Sequence, residues 1–320
     1  GRANRIGMAG NLNELFQVAP DVASALAEGR PVVALESSII AQGLPHPDNL
    51  TVAAAMHRAV RERAAVPAMT AVVDGRIRVG LDEDGIARLV HPDCWKCGAR
   101  DLGPAVAAGV VGATTVSAAL RISAALGIRI FATGGIGGLH RADRAPGVLG
   151  RLDISADLME LARAPVAVVS SGAKSLLDLA NTLEILEALG VPVFGYRCLE
   201  FPAFYTAKSG LPVMRRFDEP QVLAGALAAH WSLPGAGGAL ICNPPPAHEA
   251  MPADEVEALV VAALKAADAA EVSGGALTPF VLSHMATASA GRTLAVNSAL
   301  AIANADLGGE IADALPDSAE

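Results

Sequence analysis

The sequence predicts an α/β fold: a three-layer α/β/α sandwich on a mixed central sheet, formed by a single domain. Three observations carry that reading. Short apolar runs rich in β-branched residues alternate with longer amphipathic stretches, at residues 32–35, 128–133, 166–170, 191–196 and 239–242. Strand, helix, strand in repeat is the mark of a layered α/β domain. Asp74-Gly75 lies between two further runs, 68–73 and 76–81, and suits the type I′ turn of a hairpin, so the sheet is mixed rather than purely parallel. The 320 residues show no internal repeat, linker or low-complexity break. Residues 11–315 therefore read as one domain, with a tag or disordered segment at 1–10 and a frayed tail at 316–320.

Composition narrows the function classes. Hydrophobic residues make up 52% of the chain and charged residues 18%, which supports a core and excludes a disordered chain. Aromatics are only 3%, so the core is built from Ala, Val, Leu and Ile. The net charge of −9 argues against a nucleic-acid surface, which needs a basic footprint. No apolar run reaches membrane-span length, and no secretory leader is visible. Four cysteines make no disulfide framework, so a reducing cytoplasm is expected. Cys94-Trp95-Lys96-Cys97 has redox spacing, but Pro92, Asp93 and Gly98 around it read as a loop. Cys198 and Cys242 supply no second close pair for zinc.

In chain order, residues 11–28 read as a helix interrupted at Pro20. The strand at 32–35 runs into Glu36-Ser37-Ser38, and a shaped loop follows through Gly43-Leu44-Pro45-His46-Pro47. A carboxylate at the end of a buried strand needs a partner. Residues 51–63 and 82–89 read as helices, with the hairpin between them. After the Lys96 loop comes a helix toward Gly109. Gly112-Ala113-Thr114-Thr115-Val116 opens a helix to Leu126, with threonine as its cap. Residues 156–162 and 175–189 read as helices, as do 221–231, 254–271, 278–290 and the segment reached through 297–302. Phe201-Pro202-Ala203-Phe204-Tyr205 either packs as core or lines a pocket for a flat ring.

The chemistry concentrates between Phe131 and Lys174. A strand breaks into Thr133-Gly134-Gly135-Ile136-Gly137-Gly138, whose backbone N–H groups suggest a phosphate cradle. His140 and Arg141 follow, then Asp153-Ile154-Ser155-Ala156-Asp157, then a second strand ending in Ser170-Ser171-Gly172-Ala173-Lys174. In open α/β sheets ligands bind at the carboxyl ends of strands, where both clusters fall. Lys174 reads as lying just inside a helix, where the dipole and burial would favour a neutral amine able to attack an aldehyde or anomeric carbon. The alternatives are a phosphate-binding or a solvated lysine. Asp153 and Asp157, four apart, would share a helical face and suit Mg²⁺ or Mn²⁺. Otherwise Asp153 caps the helix and Asp157 faces water. The glycines match neither a Walker loop nor a dinucleotide fingerprint.

Several motifs in order resemble the pseudouridine-5′-phosphate glycosidases, the indigoidine-synthase-A-like family. They are Ala34-Leu35-Glu36-Ser37, Gly43-Leu44-Pro45, Arg100-Asp101-Leu102, Gly112-Ala113-Thr114-Thr115-Val116, Phe131 through Arg141, Asp153-Ile154-Ser155-Ala156-Asp157 and Gly172-Ala173-Lys174-Ser175. The resemblance covers roughly residues 31–303. It implies a C–C glycosidic bond enzyme that joins or separates ribose 5-phosphate and uracil with a divalent metal, Mn²⁺ or Mg²⁺, as a homotrimer. By that analogy Lys174 is the nucleophile through a Schiff base, Glu36 the proton donor and Asp153 the metal holder, mostly through water. Lys96, Val116, Ser155 and Asp157 would contact substrate, with Thr133, His140 and Asn297 around the sugar phosphate.

The loop beside Glu36 departs from the family pattern at Ser38, at Gln42 and at His46, and the stretch between His140 and Asp153 reads as longer than usual. The sugar-phosphate set is intact while the neighbourhood of the acid has changed. That tilts the expected aglycone toward an aromatic polyketide, as in a branch resembling the alnumycin C-glycosynthase of antibiotic biosynthesis. Release of uracil from pseudouridine 5′-phosphate is the alternative, and a non-catalytic sugar-phosphate-binding protein is the third reading.

Overall fold

The computed structural model describes residues 14–141, 153–272 and 276–316. Among these residues eleven strands form one mixed sheet, the middle layer of a three-layer α/β/α sandwich. Its spine is parallel: β2 (Val32–Leu35) lies between β3 (Val66–Val73) and β7 (Ile130–Ala132). Beyond β7 come β8 (Ala167–Ser170), β11 (Ala239–Cys242), β9 (Val193–Tyr196) and β10 (Arg215–Phe217). All residues of β2, β3, β7, β8, β9 and β11 are buried, as expected of strands covered on both faces.

The expected hairpin is present. β3 pairs antiparallel with β4 (Arg76–Val79), and Asp74 and Gly75 both take positive φ at the turn, +52° and +70°. The far half of β3 also pairs antiparallel with β6 (Gly112–Thr114), which carries β5 (Trp95–Cys97) beside it in parallel.

Helices α1 (Pro20–Ala27), α2 (Asp48–Glu62), α3 (Glu83–Ala87), α4 (Leu102–Ala108) and α5 (Val116–Leu126) connect the first half. The second half adds α6 (Ala156–Arg163), α7 (Leu179–Ala188), α8 (Pro220–Trp231), α9 (Ala253–Ala269), α10 (Leu277–Ala288) and α11 (Arg292–Ala314). The last of these crosses β2, β7 and β8 and packs on α2 and α8. It therefore lies directly behind the strand ends that carry Glu36, Thr133 and Ser171.

The structure corrects several expectations. Residues 16–18 are not helix but an edge strand, β1 (Phe16–Val18), parallel to β4 and tied by Arg76, whose Nη2 donates to the Phe16 carbonyl at 3.1 Å. Pro20 does not interrupt a helix; it starts one, where its missing N–H costs nothing. The Lys96 loop contains strand β5, and residues 112–114 are strand before α5 begins. Strand β10 was not foreseen, and α11 starts five residues earlier than residue 297. The segment 144–152 lies outside the described residues, as do 1–10 and 317–320. No helix of the described residues is long and apolar enough to cross a membrane.

Candidate active site

The carboxyl ends of β2, β7 and β8 deliver Glu36, Thr133 and the Ser170–Lys174 segment to one side of the sheet. On that side lies a cavity of about 540 Å³. Glu36 and Lys174 line it together, with Lys96 from β5 and Val116 at the first turn of α5. His140, Asp153, Ser155 and Asp157 form another wall, and Asn297 enters from α11. Thr133 does not line the cavity: it is fully buried behind Glu36.

Lys174 is not inside a helix. α7 begins at Leu179, after Asp178, whose side chain caps the Asn181 N–H at 3.1 Å. The reason is local. Residues 171–178 spend their backbone groups on the glycine loop instead of on a helical turn. Ser171 N donates to Gly134 O at 2.9 Å, Lys174 N to Ile136 O at 3.1 Å and Asp178 N to Leu139 O at 2.8 Å. Ile136 N returns a bond to Gly172 O at 3.0 Å. This side-by-side run needs glycine at 172: its φ is +77°, and a Cβ there would sit 1.9 Å from the Pro202 carbonyl oxygen. Lys174 is thus held half-buried on an irregular ladder, and the dipole of α7 does not act on it.

Asp153 and Asp157 do not share a helical face either. Ser155 is the cap of α6, so Asp153 precedes the helix and is exposed, while Asp157 sits in its first turn and is buried. The Asp157 carboxylate is fully engaged. Oδ1 accepts from Ser117 N and Oδ2 from Gly137 N, both at 2.8 Å. It caps α5 from outside the helix, because Thr115 makes no capping bond and pairs its hydroxyl with Ser117 Oγ at 3.1 Å. Close approach at Gly137 is what admits this: a Cβ would lie 2.3 Å from Ser155 Oγ and 2.9 Å from Asp157 Oδ2. The glycine loop is correspondingly less of a phosphate cradle than its composition suggests. The amides of Ile136, Gly137, Leu139 and His140 are all committed to protein acceptors.

Electrostatics tie the cations together. Lys96 is exposed through the cavity, yet protein around it strips enough water to hold its ammonium below the usual lysine range. Repulsion from Lys174 adds to that, and Glu36 and Asp157 oppose it. His140 is also pushed down, first by burial, with Asp153 pulling the other way and Lys174 and Lys96 repelling its charged form. Three buried polar atoms have no hydrogen-bond partner among the described residues at the site, Gln42 Oε1, His140 Nδ1 and Asn297 Oδ1. Buried polar atoms left unpaired are costly unless a ligand completes them.

Among the described residues no group of three or more His, Cys, Asp or Glu side chains gathers to hold a metal. The site offers a cation one exposed carboxylate, Asp153, beside His140, whose N–H donates to Asp153 O at 2.9 Å. That set fits an ion that keeps most of its water, as Mg²⁺ does, and not an all-protein cage. The cysteine reading gains nothing: all four thiols are free, burial pushes Cys97 up to about 12, and Cys94 is raised too.

In the aromatic patch all three rings, Phe201, Phe204 and Tyr205, belong to the core, and Phe204, at φ +62°, also lines the cavity and meets Tyr205 edge-on at 4.8 Å. Sequence reasoning missed Asn243 and Asn304. The former follows β11 at its carboxyl end, a position that could have signalled it. The latter sits among small residues of a long helix, where nothing in the spacing marks it.

The fold and this cavity define an α/β enzyme with its site at the strand ends. The model of the family described as indigoidine synthase A like protein matches residues 21–314, and the chain belongs to that family. Curated relatives called pseudouridine-5′-phosphate glycosidase are 49% identical over 94% of this chain and 88% of the relative (Methylobacterium nodulans) and 47% identical over 93% and 97% (Herpetosiphon aurantiacus). Among solved structures, the prealnumycin C-glycosynthase AlnA in complex with ribulose 5-phosphate superposes with a TM-score of 0.84. It is 39% identical, over 94% of this chain and 97% of that one. An indigoidine synthase A-like protein from Thermotoga maritima gives a TM-score of 0.83 at 32% identity, over 93% and 95%.

Proposed function

We propose that this enzyme cleaves the C–C glycosidic bond of pseudouridine 5′-phosphate, releasing uracil and ribose 5-phosphate. The observation that carries the reading is the convergence of Lys174 and Glu36, from two different strand ends, on one cavity. A carbon leaving group offers no oxygen to protonate, so C1′ must first gain a group that pushes electrons in as the bond breaks. The Lys174 amine adds at C1′ and the ring oxygen leaves as a hydroxyl. The nitrogen lone pair then forms C=N as the C1′–C5 bond breaks, and Glu36 delivers a proton to C5. Water hydrolyses the imine, freeing ribose 5-phosphate and the lysine. Lys96, Val116 and Ser155 contact the substrate in this scheme, while Asp157, expected as a further contact, stays engaged with the Ser117 and Gly137 amides. His140 and Asn297 surround the sugar phosphate, to which the imidazole N–H and the amide NH₂ would donate.

Asp153 would hold a hydrated Mn²⁺ or Mg²⁺, which when bound supplies positive charge beside the phosphate. A homotrimer, implied by the family resemblance, is checked by light scattering. The relatives' names favour uracil release over the aromatic aglycone expected from the changed loop at Ser38, Gln42 and His46. The likeness to AlnA keeps the synthetic direction as the second reading. Incubation with pseudouridine 5′-phosphate separates them: release of uracil supports the glycosidase, and no release under saturating substrate refutes it.

A further inference from the structure

Thr133 spends its polar groups inside the protein. Its N–H donates to Val169 O at 3.0 Å, its carbonyl accepts from Asn304 Nδ2 at 2.8 Å, and its hydroxyl donates to Glu36 Oε1. The other carboxylate oxygen of Glu36 accepts from Ser38 Oγ. Glu36 is thus gripped at both oxygens by hydroxyls from different segments, one at the end of β7 and one two residues along its own chain.

Behind Thr133 lies a second tier. Asn304 is fully buried in α11, and its Nδ2 also reaches Ser171 Oγ at 3.2 Å and Gly134 O at 3.4 Å. Its Oδ1 accepts from Asn243 Nδ2 at 3.0 Å. The ends of β7, β8 and β11 are therefore pinned to one amide.

The terminal torsion of a glutamate is broad and two-fold, so packing along the aliphatic stem does not fix the carboxylate plane. Two donors on its two oxygens do. A proton donor has to meet the carbon it protonates within hydrogen-bond reach, and a small rotation of the carboxylate loses that alignment. Hydroxyls both donate and accept, so the same grip holds Glu36 before and after it gives up its proton.

We propose that Thr133 is a positioning residue for Glu36 rather than a sugar contact, with Ser38 as the opposing hydroxyl and Asn304 as the backing that holds Thr133 in place. This rests on Glu36 being the proton donor of the proposed reaction.

The test compares T133V, which keeps the shape and loses the hydroxyl, with T133S, which keeps the hydroxyl. On pseudouridine 5′-phosphate, T133V should lower kcat by about 10–100-fold, part of the roughly 10²–10⁴-fold supplied by a positioned acid, with KM nearly unchanged. Borohydride trapping of ribose 5-phosphate on Lys174 should stay at the wild-type level, and T133S should recover most of kcat. A raised KM with kcat kept would make Thr133 a sugar contact and overturn the proposal. So would an equal loss of trapping and turnover, which marks general damage.

If the wild type releases no uracil, the proposed reaction fails on its own. Crystal structures of wild type and T133V then decide the positioning: a Glu36 carboxylate turned from its wild-type orientation in T133V upholds it, and an unmoved one overturns it.

Discussion

Asp157→Ala separates a structural carboxylate from a substrate ligand. The side chain accepts from Ser117 N at the start of α5 and from Gly137 N in the glycine loop, both at 2.8 Å, and is 7% exposed. Hydrogen bonds to a charged group contribute about 1.5–3 kcal/mol each, and truncation also strands two buried N–H groups. Water entering from the adjoining cavity recovers part of this, leaving a loss of about 3 kcal/mol, a large share of an ordinary domain's stability. For a chain of this size each 1 kcal/mol moves the melting temperature by about 1.5 °C, so D157A should melt about 4–5 °C below wild type. D157N keeps one acceptor but loses the anion at a helix N-terminus and should fall between. Thermal unfolding at neutral pH, followed by circular dichroism, reads the difference. A D157A protein that melts with the wild type while losing activity would refute the reasoning and return Asp157 to the substrate.

Two further outcomes are expected. In a Lys174→Ala background, where only non-covalent binding is measured, ribose 5-phosphate affinity should weaken as pH rises through the Lys96 pKa. That pKa is depressed first by burial and then by Lys174, so removing Lys174 should move the loss to higher pH than in wild type under non-reducing conditions. Calorimetry across pH checks this, and a flat affinity below the ordinary lysine range in both proteins would count against a role for Lys96. Chelation followed by metal add-back should restore wild-type turnover but not that of Asp153→Ala, with melting temperatures unchanged; full activity of the chelated enzyme would remove the metal from the account.

Most of the fold was legible because its strands are short β-branched runs with turn chemistry between them, as at Val32–Leu35 and Asp74-Gly75. The misreadings have physical causes. Phe16–Val18 and Arg215–Phe217 are three-residue edge strands, too short to show a period and made by pairing with β4 and β9. Lys174 looked helical because Ser175–Leu189 is apolar at helical spacing, but its backbone bonds go to the glycine loop, a long-range competitor invisible locally. Asp153 and Asp157 have helical spacing too, yet the cap at Ser155 places the helix boundary between them. Nine of the ten residues assigned in advance border one cavity; the tenth, Thr133, lies behind Glu36. The Asn304 network joins residues more than a hundred positions apart, and no spacing rule reaches that far.

One measurement bears most directly on the sugar-capturing amine. Wild-type protein incubated with ribose 5-phosphate is reduced with borohydride and mapped by peptide mass spectrometry. The account predicts a stable sugar-phosphate adduct on Lys174, absent from Lys174→Ala. An unmodified Lys174 in protein that still turns over its substrate would contradict it.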